Sequence, residues 1–144
     1  MSSNIERFDE ITAQILGRLY QEFPLPVYLP AADFVSSATC YCDAICGDTP
    51  SPEARFFEAC VVWLGETGYL RYKEHLYQLA GFRDAVLTAK GLEVLKAIPD
   101  SLGGKQTIGE QLVSAAKAGA TDLLKEGVKA ALAQGAAMLG TVWN

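Results

Sequence analysis

The stretch from Ser51 to Pro99 constrains this chain most, because its start and stop signals leave one order of elements: helix, two-stranded hairpin, helix. Ser51 is a good N-cap, Pro52 sits in the first turn where its missing N–H costs nothing, and Glu53 faces the positive end of the dipole. The helix is expected to run to about Thr67, with Gly68 supplying the left-handed residue that ends it. Tyr69 to Lys73 then reads as a strand, and Arg83 to Leu87 as its partner across a wing tip. Thr88 caps a short helix through Ile98, which Pro99 stops.

Before this stretch, Ile5, Phe8, Ile11, Ile15, Leu19 and Phe23 recur near helical spacing, so residues 4–23 are expected to form an amphipathic helix with its apolar face in the core. The three prolines between Phe23 and Pro30 exclude a helix there. Val27 to Leu29 suits a short edge strand against the hairpin, and Ala31 to Ser37 a short second helix. After it, residues 101–106 read as a linker carrying two glycines. Thr107 and Glu110 have the spacing of a capping box, opening an alanine-rich helix expected to reach about Gly140. That helix carries two apolar stripes that do not line up, Ile108, Leu112, Ala115 and Leu123 in the first and Val128, Leu132, Leu139 and Val142 in the second, with Gly127 as the expected bend. The first is expected to pack on the domain. Leu123, Val128, Leu132, Leu139, Val142 and Trp143 are the candidate contact residues for another copy or a partner, against the plainer reading of a helix that caps its own core.

Two segments carry a resemblance. Trp63 to Tyr72, WLGETGYLRY, looks like the end of a recognition helix entering a first wing strand, and Leu87 to Leu95, LTAKGLEVL, like a second wing strand entering a closing helix. Together they resemble the winged-helix domain of bacterial repressors over residues 51–99. The resemblance implies an α+β fold, a mostly helical winged-helix domain with a small β-hairpin wing followed by a long C-terminal helix. The corresponding division is 1–100 for the domain, 101–106 for the linker and 107–144 for a helical packing or oligomerisation segment.

A winged helix serves DNA readers and protein-interaction modules alike, so charge has to decide. Net charge is −5; four lysines against three acids after residue 104 leave +1 there and −6 on the remainder, the wrong sign for a phosphate-binding face. On the 51–67 helix the apolar residues Phe56, Phe57, Ala59, Cys60, Val61, Trp63 and Leu64 spread wider than an ordinary stripe, which implies cover on a second side. Arg55, Glu58, Val62, Gly65 and Glu66 are left as its polar sector, one base among carboxylates where a groove-reading helix needs several donors. A DNA-binding alternative would rest on Arg55 with Arg71, Lys73 and Arg83 of the wing.

Cys40, Cys42 and Cys46 are the nearest thing to a chemical motif, and Cys40-Tyr41-Cys42-Asp43 resembles the soft-metal-sensing segment of arsenic-repressor-type winged helices. The bland reading, reduced thiols acting as small apolar fillers, is the stronger, and His75 reads as a solvated wing residue. No nucleophile–base pair, P-loop or dinucleotide glycine pattern is present, so no enzyme activity, metal or cofactor is expected. The apolar run from Ala130 to Trp143 is too short to span a bilayer, and the N-terminus lacks a secretory h-region, so a cytoplasmic protein is expected. The leading expectation is a small acidic adaptor that binds protein and self-associates as a homodimer through its C-terminal helix. The alternative is a DNA-binding transcriptional regulator that senses metal or oxidation through the three cysteines.

Overall fold

The computed structural model describes residues 3–98 and 106–142, with the side chains of the last helix described as far as Met138. Pro99 and all of the expected linker except Gln106 therefore lie outside the described residues. The order is α1 (Asn4–Glu22), β1 (Val27–Pro30), a 3-10 turn (Ala31–Asp33), β2 (Thr39–Cys42), β3 (Gly47–Pro50), α2 (Pro52–Glu66), β4 (Leu70–Arg71), β5 (Glu74–Leu76), β6 (Gly81–Leu87), α3 (Ala89–Lys96), α4 (Ile108–Ala118) and α5 (Thr121–Val142). The chain is α+β and mostly helical.

Local chemistry sets most of these ends. Ser51, Thr88 and Thr107 each accept a hydrogen bond from the backbone N–H three residues on, and Thr107 and Glu110 close a reciprocal capping box. Hydrogen bonds to the Glu110 carboxyl from the Thr107 backbone N–H and the Thr107 side chain hold it below its ordinary range. Gly68 takes φ +87°, the left-handed conformation expected after α2.

β6 is the centre of the sheet. β1 pairs with it antiparallel on one side, and β4 and β5 follow one another on the other. The register of β1 slips by one residue between Val27, opposite Ala85, and Leu29, opposite Phe82. Asp84 lies in that bulge at φ +54°. The first wing strand expected over Tyr69 to Lys73 is thus shortened to β4, β5 forms in the stretch expected as the wing tip, and their partner begins earlier, at Gly81.

Three further expectations are corrected. Ala31 to Ser37 forms one 3-10 turn instead of a short helix, and the cysteine segment after it is a separate antiparallel hairpin, β2–β3, running directly into α2. α3 ends at Lys96 because Ala97 turns extended, short of Ile98. The long C-terminal helix is two helices, and the break falls at Gly119, φ +66°, not at Gly127. Gly127 lies inside α5 for a packing reason: a Cβ there would come within 2.6 Å of Leu112 Cδ2 on α4. The change of direction puts Leu124 in the core and leaves Leu123, expected on the domain-facing stripe, half exposed.

One continuous core joins all of this. Ile15, Leu16 and Leu19 of α1, Phe57, Val61 and Leu64 of α2, Phe82 of β6 and Ile108, Leu112 and Val128 of α4 and α5 are fully or almost fully buried in it. Phe57 stacks on Phe34 at 5.1 Å and meets Phe82 edge-on at 6.0 Å, tying α2 to the 3-10 turn and to the sheet.

Asp9 is a buried acid on α1. Burial raises its pKa from the ordinary 3.8, against the opposing charges of Lys129 and Lys125. A carboxyl whose folded pKa is raised holds its proton more tightly in the folded state. It therefore lowers stability as pH rises from its unfolded value through the folded one, and the cost is complete above that. Asp9→Asn should accordingly unfold at higher urea than the parent at pH 7, with the gap closing as pH falls through the carboxylate range; a pH-independent gap would contradict this account.

Candidate functional site

Between the start of α1 and α2 lies an apolar groove of about 420 Å³. Ile5 and Phe8 of α1 and Phe56, Ala59, Cys60 and Trp63 of α2 line it, with Asn4 as the one polar side chain. These are the residues that gave α2 its excess apolar width. Its stripe of Ala54, Phe57, Val61 and Leu64 faces the core, so Phe56, Ala59 and Trp63 are left over for a second side. Phe8 meets the Trp63 indole edge-on at 5.3 Å, and Tyr69 stacks behind it at 6.3 Å, so the rings are held in place from within the domain. Solvent still reaches Ile5 (70% exposed) and Trp63 (41%).

One cation stands over the lining. The Arg7 guanidinium lies 4.2 Å from the centre of the Phe56 ring and makes no ion pair among the described residues. Glu6, beside it in sequence, pairs with Lys125 at 3.4 Å. Burial drives the Cys60 thiol up to about 12 even though Arg7 pulls in the opposite direction, so Cys60 is a protonated, unreactive part of the wall.

A second cluster lies under the hairpin, on the face of α2 expected to be polar and open. Glu58 is buried instead, its side chain only 7% exposed. Arg55 Nη1 donates to its Oε1 at 2.7 Å, and His75 Nε2 lies 2.6 Å from its Oε2. The His75 side chain is 12% exposed, its ring stacked 4.2 Å from Phe82 and tilted against Tyr77 at 3.9 Å. The expectation of a solvated wing histidine is therefore corrected. His75 is a strand residue whose ring is covered by its neighbours and whose nitrogen meets a buried carboxylate. The pair fastens β5 to α2.

The remaining expected residues are scattered. Arg55 is held by Glu58 and donates to the Tyr77 carbonyl at 3.3 Å, while Arg83 pairs with Glu74 at 3.1 Å. Of the four cations named for DNA, Arg71 and Lys73 have no ion pair among the described residues. Cys40 and Cys46 are exposed and Cys42 is half-buried on the β2–β3 hairpin. Among the described residues no three potential ligands converge on a metal-sized space, so the three thiols are not brought together as a ligand set. On α5, Val128 is fully buried in the chain's own core, Leu132 packs against its margin and Leu123 is half exposed. The stripe of α5 containing Val128 therefore caps the domain. The side chains of Leu139 and Val142, and Trp143 as a whole, lie outside what is described. No described helix is long and apolar enough to cross a membrane.

Sequence reasoning flagged Phe56, Ala59 and Trp63 through the width of α2 but placed Ile5 and Phe8 in the core. Compared with known protein families, with characterised proteins and with solved structures, the chain matches none.

Proposed function

We propose that this chain is a non-catalytic protein-interaction module that self-associates through the α1–α2 groove. The observation that carries the reading is the pairing of a projecting apolar side chain, Ile5, with a concave apolar groove in one patch. A patch holding both knob and hole is self-complementary, which a two-fold contact between identical subunits requires. Exposed aromatic surface beside such a groove is also the composition of an interface centre. The order α2, β4–β6, α3, with Ser51 and Thr88 as caps, supports keeping the winged-helix-like scaffold in this reading. Burial of Val128 favours α1–α2 over the C-terminal helix as the contact face. The net charge of −5, and the engagement of Arg55 and Arg83 by carboxylates, favour protein over nucleic acid as the partner.

Sedimentation equilibrium tests this. The parent chain should be a dimer, and Ile5→Glu and Trp63→Glu should each weaken the dimer by at least about tenfold, because each leaves an unpaired charge inside the contact. Random duplex DNA at low salt should leave both parent and variants unmoved. A parent that sediments as a monomer, a dimer indifferent to both substitutions, or a salt-sensitive shift onto the duplex would sink the reading.

A further inference from the structure

The groove holds more information than its apolarity. Its walls are rings and aliphatic carbons, yet the Arg7 guanidinium lies 4.2 Å from the centre of the Phe56 ring that forms part of the wall, with no carboxylate paired to it among the described residues. In a chain of net charge −5, with acids outnumbering bases, an unpaired arginine beside an apolar wall is conspicuous. Glu6 is engaged by Lys125. Any anion that pairs with Arg7 at the groove therefore comes from outside the described residues. A guanidinium presents a fork of N–H donors matched to a carboxylate. The volume of about 420 Å³ is at the scale of small-molecule clefts, roughly 300–1,000 Å³.

We propose that the groove binds a free anionic amphiphile, a single carboxylate on an apolar body of medium-chain acyl size, with the carboxylate on Arg7 and the chain between Phe8, Phe56 and Trp63. The ligand covers the same lining as the second copy of the chain, so binding it releases the dimer. This last clause rests on the function proposed above; binding itself does not. No bond is made or broken, in keeping with a Cys60 that stays a thiol.

The test uses the full chain carrying Trp143→Phe, which leaves Trp63 as its only indole. Dodecanoate is titrated below its micelle concentration while Trp63 fluorescence is followed. Saturable change is expected, with Arg7→Gln weakening binding by about tenfold or more, the size expected for a charge-assisted hydrogen bond. Dodecanol and dodecyltrimethylammonium should bind weaker by a similar factor. Absence of saturation, equal binding of the three head groups, or indifference to Arg7→Gln overturns the proposal. A response to phosphatidylglycerol vesicles but not to dodecanoate overturns it too, in favour of a membrane surface. Sedimentation at saturating dodecanoate then reads the competition. A dimer that becomes a monomer is the expected result, and a dimer that persists with ligand bound overturns the release step. A chain already monomeric without ligand sinks the self-association reading while the fluorescence titration still decides the ligand.

Discussion

Glu58→Ala is expected to destabilise the chain by about 2–4 kcal/mol, because it removes a buried hydrogen-bonding side chain from two partners at once. Glu58 satisfies two groups at once, Arg55 at 2.7 Å and His75 at 2.6 Å. Its loss leaves the His75 imidazole facing a void between α2 and β5, shut in by Phe82 and Tyr77. The loss is a large fraction of the whole stability of a marginal domain, about 5–15 kcal/mol. The two partners should not matter equally. His75→Phe keeps the ring stacking but strips Glu58 of one partner in a dry site, and should cost about 1–3 kcal/mol. Arg55→Ala should cost under about 1 kcal/mol, since that side chain is half exposed and its pairing is screened by water. Urea unfolding of the three variants and the Glu58/His75 double-mutant cycle measures this order. Equal, small losses would mean that the hairpin is not fastened to α2 by this pair.

Gly91→Ala should be the most damaging of the conservative glycine changes, at about 3 kcal/mol or more, the upper end for overpacking. An added Cβ would come 2.0 Å from the Tyr69 carbonyl oxygen, which is backbone and itself accepts from Thr88 N–H at 3.2 Å. Nothing flexible is available to give way, so the start of α3 has to move off β4. Tyr69 stacks on Trp63, so the variant should also loosen the groove wall and broaden the Trp63 signal. Gly119 makes the contrast. Its φ of +66° strains any side chain, but nothing lies within 4 Å, so Gly119→Ala should cost only about 1–2 kcal/mol. Thermal unfolding of the two variants decides it; reversal of their order would contradict the packing described at α3.

What could be read from the sequence was local. Ser51, Thr88 and Thr107 announce helices because a capping hydroxyl acts within one turn, and the prolines after Phe23 leave little but an edge strand for Val27 to Pro30. The β2–β3 hairpin was illegible because Cys46, not glycine or asparagine, takes the left-handed position, φ +52°, before β3. Gly119 and Gly127 looked alike in a helical run, and only the contact of Gly127 with Leu112, fifteen places away in sequence and on another helix, separates the packing glycine from the breaking one. Glu58 and His75, seventeen residues apart, had no signal at all. A glutamate among polar neighbours on a helix reads as solvent-facing until the hairpin folds over it. The groove was half legible. The breadth of apolar residues on α2 pointed to a second covered side, but Ile5 and Phe8 obeyed the same period as the core residues that follow them on α1.

The central claim is that the chain meets a second copy through α1–α2 and uses the buried stripe of α5 for its own core. Amide hydrogen exchange of the full chain, followed by fragment mass analysis over a hundredfold range of protein concentration, tests it most directly. Protection that rises with concentration over residues 4–8 and 56–63, and stays constant over 121–138, is the predicted result. Concentration-dependent protection confined to 121–138, or found nowhere, would contradict it.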